Sequence, residues 1–234
     1  DIEHIERISL IGISFKYPTG PRQILDNINI EINSGEFIGI MGPSGSGKST
    51  LMNILLGLLD NYEGEMEINC RKLVKGNRLL SKHIAYIPQQ LFLLNDTVRN
   101  NVAFGVDPAE IDNHRLDVAI KSAELTDTIN AFPDGIDTVL GENAVRISGG
   151  ETQRIALARA FYMDRNIFFF DEATSALDED TQFQIMGQIN QIRGKKTMVM
   201  ISHRLNVMEK CDRIYKIVNG AIEAEGTYHQ MVQS

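Results

Sequence analysis

Residues 42–50 read GPSGSGKST, and this stretch decides what kind of fold surrounds it. The order G-x-x-x-x-G-K-[ST] is that of a phosphate-binding loop, a motif that requires a strand before it and a helix after it. The apolar run EFIGIM precedes the loop and the run LMNILLGLL follows it. The sequence therefore predicts a strand, a loop and a helix in succession. The alternative is an ordinary Gly/Ser-rich loop in front of a helix.

The composition of this loop dictates its chemistry. Glycines let the backbone curl until several N–H groups point at one anion, and the following helix presents its positive end to the same point. Lys48 is expected to reach the β- and γ-phosphates of a nucleotide, and the Ser49 hydroxyl is expected to coordinate Mg²⁺. The predicted nucleotide contacts in the loop are Gly42, Pro43, Ser44, Gly45, Ser46, Gly47, Lys48, Ser49 and Thr50.

The composition of the whole chain narrows the class of protein. Its 234 residues are 43% hydrophobic, which is enough to form a core. Its net charge of −8 argues against a general nucleic-acid-binding surface. Cys70 and Cys211 stand far apart and fit no metal or redox spacing, as expected of buried or incidental thiols in a reducing compartment. No apolar stretch is long enough to span a bilayer. The chain begins with Asp, so we expect an excised piece or a processed product.

The periodicity of apolar residues predicts two lobes. Alternating strands open the chain, helical patterns run from about 95 to 165, and apolar strands return with NIFFFDEA and TMVMIS before a closing hairpin and a short helix. This order indicates an α/β protein with an antiparallel β subdomain and a helical subdomain. We expect the core and β lobe to comprise residues 1–90 and 165–234, and the helical lobe to comprise residues 91–164.

A pair of acids follows a buried strand in NIFFFDEATSALD. A carboxylate at the end of such a strand needs a partner, because an unpaired buried charge is costly. We expect Asp171 to complete a Mg²⁺ shell with Ser49, and Glu172 to act as general base for an attacking water. The alternative is a surface turn that carries two solvated acids.

A second glycine-rich stretch, RISGGETQR at residues 146–154, precedes a helix-forming run. Ser148 and Glu151 have the S-x-x-E spacing of a capping box, which satisfies the first free amides of a helix. Capping does not require two glycines, so Gly149 and Gly150 indicate that another group approaches this backbone closely.

Together these motifs identify a resemblance to the ATP-binding cassette family, specifically the nucleotide-binding domain of an ABC transporter, over nearly the whole chain. The resemblance implies that two such domains dimerise head to tail and that each ATP lies between the phosphate-binding loop of one and the signature sequence of the other. ISGGE resembles that signature, with Ile147 in place of Leu and Glu151 in place of Gln. The signature residues expected to contact the partner's ATP are Ser148, Gly149, Gly150 and Glu151.

The resemblance assigns roles to four further residues. Tyr17 resembles the aromatic residue that stacks on adenine, Gln89 the Q-loop glutamine that contacts Mg²⁺ and the γ-phosphate, and Asp178 the D-loop acid at the dimer interface. His203 resembles the switch histidine that bonds to the γ-phosphate. If the family resemblance is set aside, Tyr17 is interpreted as an ordinary strand-end tyrosine and His203 as a structural histidine. The neighbouring Gln90 is the alternative candidate for the role given to Gln89. The expected catalytic residues are Glu172, His203 and Lys48, and the expected metal ligands are Ser49, Gln89 and Asp171.

Softer features indicate the exporter branch. Gly141 and Glu142 match a segment that precedes the signature in exporters, and QQLFLLNDTVRNNVAFG resembles the groove that receives their coupling helices. The implied protein uses ATP and Mg²⁺ to drive transport by a transmembrane domain in the same or a partner chain. It would lie at the cytoplasmic face of a membrane and pair with an identical or a different nucleotide-binding domain. The alternatives are a soluble ABC ATPase that acts on nucleic acid or ribosomes, and a nucleotide-binding regulatory module without hydrolysis.

Overall fold

The computed structural model describes residues 4–18, 20–76, 79–141 and 145–233. Contacts divide the chain into two compact units. The strand unit comprises Asp1–Ile84, Asn166–Asp171 and Arg193–Ser234, and the helical unit comprises Ala85–Arg165 and Glu172–Ile192. Residues 172–192, which the sequence analysis grouped with the strands, therefore lie in the helical unit. The proposed lobe boundaries near residues 90 and 165 stay a prediction.

An antiparallel sheet forms the first part of the strand unit. Its strands are β1 (Arg7–Lys16), β2 (Gln23–Asn33), β4 (Glu63–Ile68) and β5 (Arg71–Lys72), in the order β2-β1-β4-β5. Ile8, Leu10, Ile13 and Phe15 of β1 are buried, because alternate side chains of the strand face the core. The opening antiparallel pair was predicted, whereas β4 and β5 were not.

A second sheet carries the parallel strands. In the strand unit it comprises β3 (Phe37–Met41), β7 (Ile167–Asp171), β8 (Thr197–Ile201), β9 (Arg213–Val218) and β10 (Ala221–Gly226), in the order β10-β9-β3-β8-β7. Strands β9, β3, β8 and β7 are mutually parallel, and β10 is antiparallel to β9. Every residue of β7 and β8 is buried, as expected of parallel strands covered on both faces.

Among the described residues of the strand unit there are two α-helices. Helix α1 (Lys48–Leu55) begins within the last three residues of the 42–50 loop, and α7 (Tyr228–Gln233) lies near the end of the chain. The end of α1 is set by Gly57, which has a φ of 71°. The Gly57 amide donates to the Ile54 carbonyl and the Leu58 amide donates to the Asn53 carbonyl, which is the bonding of a Schellman motif. The helix therefore stops before the apolar run LLGLL ends.

The helical unit is built around one long helix. Its helices are α2 (Val98–Val102), α3 (Asn113–Ser122), α4 (Thr126–Asn130), α5 (Gly149–Met163) and α6 (Glu179–Gln191). Strand β6 (Ile84–Ile87) begins at the last residue of the strand unit's first segment. Helix α5 packs against α2 and α3. Leu116 and Ala119 of α3 and Ile155 and Leu157 of α5 are buried.

Candidate functional site

The loop of residues 42–50 depends on glycine at two positions. Gly42 has a φ of 152°, and a Cβ built on it would lie 2.0 Å from the Ile217 carbonyl oxygen. Gly47 has a φ of 107°, and a Cβ there would lie 2.6 Å from Leu25 Cδ2. A side chain fits at neither position, so the sharp curl of the loop requires these two residues.

The N-terminus of α1 is suited to an anion. Its N-cap is Gly47, no side chain caps it, and its first turn contains no acidic residue. The first amides of a helix have no intrahelical acceptor, and the helix dipole makes this end positive. Nothing in the first turn offsets that charge, so phosphate oxygens fit there.

Lys48 places its charge inside the loop. Its Nζ donates to the carbonyls of Gly42 and Pro43, each at 2.8 Å, and the residue is buried. Ser49 and the loop crest at Pro43, Ser44 and Gly45 are exposed, whereas Ser46 and Thr50 are buried. The loop thus presents backbone and the Ser49 hydroxyl to solvent around a fixed ammonium group.

The parallel strands bring the 42–50 loop and two predicted residues, Asp171 and His203, to one edge of the sheet. In the β3–β8 and β8–β7 ladders, Ile40 aligns with Ile201 and Ile201 aligns with Asp171. The loop follows β3, His203 lies two residues beyond β8, and Asp171 ends β7. The strands are parallel, so their carboxyl ends share this edge, where ligands of open α/β sheets bind.

The same edge carries two oxygen-bearing side chains of the kind that bind Mg²⁺. Asp171 is 8% exposed, and Ser49 lies in the first turn of α1. A carboxylate and a hydroxyl are the ligands that Mg²⁺ accepts, usually together with phosphate oxygens and water. Among the described residues no group of three or more His, Cys, Asp or Glu side chains could hold a metal. Ser49 and Asp171 offer two oxygen ligands, which fits a metal that completes its shell with phosphate oxygens and water.

Tyr17 lies beside α1. Its ring meets Phe15 edge to face with centroids 4.8 Å apart, and its hydroxyl lies 3.3 Å from Thr50 Oγ1. The side chain is 38% exposed, so part of the ring is open to solvent. An anchored ring next to a phosphate-binding loop is suited to stacking on a base.

In the helical unit, Gln89 and Glu172 are hydrogen-bonded. Gln89 Nε2 donates to Glu172 Oε2 at 3.0 Å, so of the two candidate glutamines it is Gln89 that contacts the predicted base. Glu172 has a φ of 49°, a left-handed conformation that costs a non-glycine residue about 1–2 kcal/mol. A separation of 83 residues hid this contact from sequence reasoning.

The predicted capping box is present at the start of α5. The Ser148 amide donates to Glu151 Oε2 at 2.6 Å, and the Glu151 amide donates to Ser148 Oγ at 3.2 Å. A Cβ on Gly150 would lie 3.3 Å from the Ala176 carbonyl oxygen, whereas a Cβ on Gly149 would meet nothing closer than Ala176 Cβ at 4.0 Å. The chain's own packing therefore accounts in part for Gly150 and does not account for Gly149.

Asp178 is exposed and is the N-cap of α6. Its side chain accepts from the Thr181 amide at 2.9 Å. Hydrogen bonding to Thr181 lowers the pKa of Asp178, because the bonds favour the charged carboxylate. The capping role leaves the predicted role of Asp178 at a dimer interface untested.

The helical unit has an open cleft of about 870 Å³. Phe92 lies in its wall and is 82% exposed. Glu142, predicted to lie near it, falls outside the described residues. The lining residues are Leu91, Phe92, Leu93, Asn95, Gly141, Val145, Arg146, Ile147 and Thr152.

No helix among residues 4–18, 20–76, 79–141 and 145–233 has the length and apolar character to cross a membrane.

Comparison with known proteins places these features in a family context. A family model described as ABC transporter matches residues 25–175. The chain is 37% identical over 236 residues to an ATP-dependent lipid A-core flippase of Ralstonia nicotianae, covering 98% of this chain and 40% of the relative. It is 36% identical over 223 residues to the protein of the same name in Cupriavidus metallidurans, covering 94% and 38%. This chain thus spans about two-fifths of the length of these curated relatives.

A solved structure is also similar. The structure of a bacterial Atm1-family ABC exporter with ATP bound has a TM-score of 0.91 and 32% sequence identity, covering 99% of this chain and 40% of that chain. This likeness confirms the predicted fold class, an α/β P-loop NTPase core with an antiparallel β subdomain and an α-helical subdomain.

Proposed function

This chain belongs to the ABC transporter family, as its motifs predicted, and we propose that it is the ATP-binding and ATP-hydrolysing domain of an exporter. The observation that carries the proposal is the edge of the parallel sheet, where the loop of residues 42–50, Asp171 and His203 follow neighbouring strands. The uncapped N-terminus of α1 and the buried Lys48 give this edge a positive character that a triphosphate would neutralise.

The strand unit supplies the residues that bind ATP. Lys48 would bond to the β- and γ-phosphates, and Tyr17 would stack on adenine, an interaction worth about 1–3 kcal/mol. Ser49 and Asp171, with Gln89 of the helical unit, would hold Mg²⁺, which supplies positive charge to the phosphates when bound. The assignments of Lys48, Tyr17, Ser49 and Asp171 combine the family resemblance with the geometry of the strand unit. The assignment of Gln89 as a metal ligand rests on the family resemblance.

Hydrolysis needs a base, which we assign to Glu172. Its carboxylate would accept a proton from the attacking water, an effect worth about 10²–10⁴ in rate. His203 would orient the γ-phosphate. Gln89, which bonds to Glu172 in this structure, would also contact the bound metal. Lys48 stabilises the charge that develops on the transferred phosphoryl group.

The signature residues would complete the site of a second copy or a related partner chain. Gly149 has ample room within its own chain, so the demand for glycine there fits the close approach of an outside group. Ser148 Oγ accepts from the Glu151 amide and retains its proton for donation to a phosphate oxygen. Glu151 is engaged with the Ser148 amide, and Asp178 would lie at the same interface.

Coupling to transport would use the cleft of the helical unit. Its exposed Phe92 and apolar neighbours offer a surface for helices of a transmembrane domain in the same or a partner chain. Such a protein would work at the cytoplasmic face of a membrane. The net charge of −8, the flippase name of the relatives and the exporter title of the similar structure favour this function over action on nucleic acid.

The experiment that tests the function is the Glu172→Gln variant. We expect it to bind ATP with unchanged affinity, to accumulate as an ATP-bound dimer in size-exclusion chromatography, and to lower turnover by about 100-fold or more. Lys48→Ala is the matched control, because it should lose ATP binding as well as turnover. Wild-type turnover in Glu172→Gln would remove Glu172 from the role of base, and an inactive wild-type chain at high concentration would refute the function itself.

A further inference from the structure

Gln153 is a buried polar residue that the proposed function leaves without a role. It lies in α5, one turn beyond the Ser148–Glu151 capping box, and it is 5% exposed. Its Oε1 accepts from the Ala176 amide at 3.0 Å. Its Nε2 donates to Ser175 Oγ at 3.2 Å and to the Glu172 carbonyl at 3.5 Å. Both ends of one side-chain amide are therefore used on a single short segment of chain.

That segment joins the predicted base to the predicted interface acid. It runs from Glu172 to Asp178, and turn bonds from the Ser175 amide to the Glu172 carbonyl and from the Leu177 amide to the Thr174 carbonyl shape it. Its first residue is in the left-handed region, with a φ of 49°. Such a conformation persists only when surrounding contacts hold it. The bonds from Gln153 are contacts of this kind.

The segment is also pressed against the first turn of α5. A Cβ on Gly150 would lie 3.3 Å from the Ala176 carbonyl oxygen and 3.7 Å from Leu177 Cδ2. The first turn of α5 and the 172–178 segment thus lie close together at Gly150, and Gln153 bonds the segment to α5 one turn further along. The segment and α5 are thus connected at two neighbouring positions, Gly150 and Gln153.

We propose that Gln153 is a positioning residue that holds the 172–178 segment against α5, the helix that begins at the signature, and so links the two ATP sites of a dimer. The inference rests on the proposed function, in which Glu172 serves the ATP of its own chain and the signature serves the ATP of the partner. A change at Gln153 then disturbs both sites. A glutamine that merely satisfies a buried loop would affect stability alone.

The first test separates positioning from stability. We expect Gln153→Leu to lower kcat for ATP hydrolysis by roughly 10-fold or more, because a misplaced base loses rate steeply with distance. The KM for ATP and the Kd for a non-hydrolysable ATP analogue should stay within about 2-fold, because these report mainly the loop of residues 42–50. Gln153→Glu, which keeps the acceptor and loses the donor, should change kcat in the same direction. Ser175→Ala, which removes one partner, should do so more weakly.

Gln184→Leu is the matched control, since Gln184 is exposed on α6. It should leave kcat unchanged. A loss of thermal stability in Gln153→Leu and Gln153→Glu with kcat unchanged would overturn the proposal.

The second test uses mixed dimers of two differently tagged copies of the chain. In the first arrangement, one copy carries Gln153→Leu and the other carries Glu172→Gln, so the only intact base lies in the altered copy. In the second arrangement, one copy carries both substitutions and the other is wild type, so the intact base faces the altered signature helix. The reference is the dimer of wild type with Glu172→Gln.

We expect turnover below the reference in both arrangements, because Gln153 serves both sites. A loss in one arrangement only, or in neither, would overturn the linkage. These outcomes are distinct from failure of the proposed function, which would show as a wild-type chain without turnover or as a fully active Glu172→Gln variant.

Discussion

Gly149 and Gly150 are neighbours in the sequence, but the packing of the chain around them differs. Gly150 is close to the Ala176 carbonyl, whereas Gly149 is exposed and would accept a Cβ in ordinary contact with Ala176. Neither has the positive φ that requires glycine. A residue whose glycine identity is not required by its own chain is the best single place to test whether another chain is involved.

Gly149→Ala should therefore fold normally and fail only in the assembled site. Alanine is the better helix former, so we expect the thermal midpoint to stay the same or to rise slightly. ATP binding to the single chain should also be unchanged. Turnover should fall by about 10-fold or more, because a methyl group would separate the signature amides from a partner's phosphate. Calorimetric melting and a steady-state ATPase assay check this, and full activity would show that no phosphate approaches Gly149.

The two cysteines should differ sharply in reactivity. Cys70 is exposed and Cys211 is buried, and both are free thiols. Burial raises the pKa of the Cys211 thiol, so it is less able to form the reactive thiolate. We expect a maleimide reagent to label Cys70 in the native chain and Cys211 only after denaturation, as read by mass spectrometry of peptides. Labelling of Cys211 at the native rate of Cys70 would contradict its burial.

At the scale of elements, strand β3 and helix α6 each contain a glycine, and the space around the two glycines differs. A Cβ on Gly39 of β3 would lie 2.9 Å from Met208 Sδ, 3.1 Å from Ile214 Cγ1 and 3.2 Å from Cys211 Sγ. A Cβ on Gly187 of α6 would meet nothing within 4 Å. The packing around Gly39 leaves no room for a methyl group, whereas nothing in the packing around Gly187 requires glycine.

These two positions form a matched pair of substitutions. Gly39→Ala should destabilise the chain by about 1–3 kcal/mol through overpacking. Gly187→Ala should stabilise it by about 0.5–1 kcal/mol, because glycine in a helix interior is costly. Thermal unfolding of both variants checks the signs. A stable Gly39→Ala would mean that Met208 moves aside at little cost.

The elements also show where sequence reasoning succeeds and where it stops. Strands β3, β7 and β8 are continuous apolar runs, and the cap of α5 is a local pattern, so both were predicted from a few residues. Strand β4 was missed because its sequence, EGEMEI, is rich in Glu, and it is a strand only through pairing with distant β1. The bond between Gln89 and Glu172 and the contacts of Gln153 depend in the same way on chain folding rather than on local pattern.

At the scale of the whole molecule, each unit carries only part of the predicted machinery. The strand unit contains the phosphate-binding loop, Tyr17, Asp171 and His203, and the helical unit contains Gln89, Glu172 and the signature. The resemblance to ABC transporters further assigns the signature to the site of another copy. We therefore expect a chain with this organisation to bind ATP as a monomer and to hydrolyse it only as a dimer.

This division predicts how activity depends on protein concentration. When dimers are rare, their number rises with the square of the chain concentration, so turnover per chain should rise in proportion to concentration and then level off. ATP binding measured by fluorescence of a nucleotide analogue should remain detectable at the low concentrations where turnover per chain has fallen, because each chain holds its own phosphate-binding loop. Gly149→Ala should bind equally well and show little of this rise. Turnover per chain that stays constant over a roughly 100-fold dilution would mean that one chain completes the site alone, and the signature would then need another role.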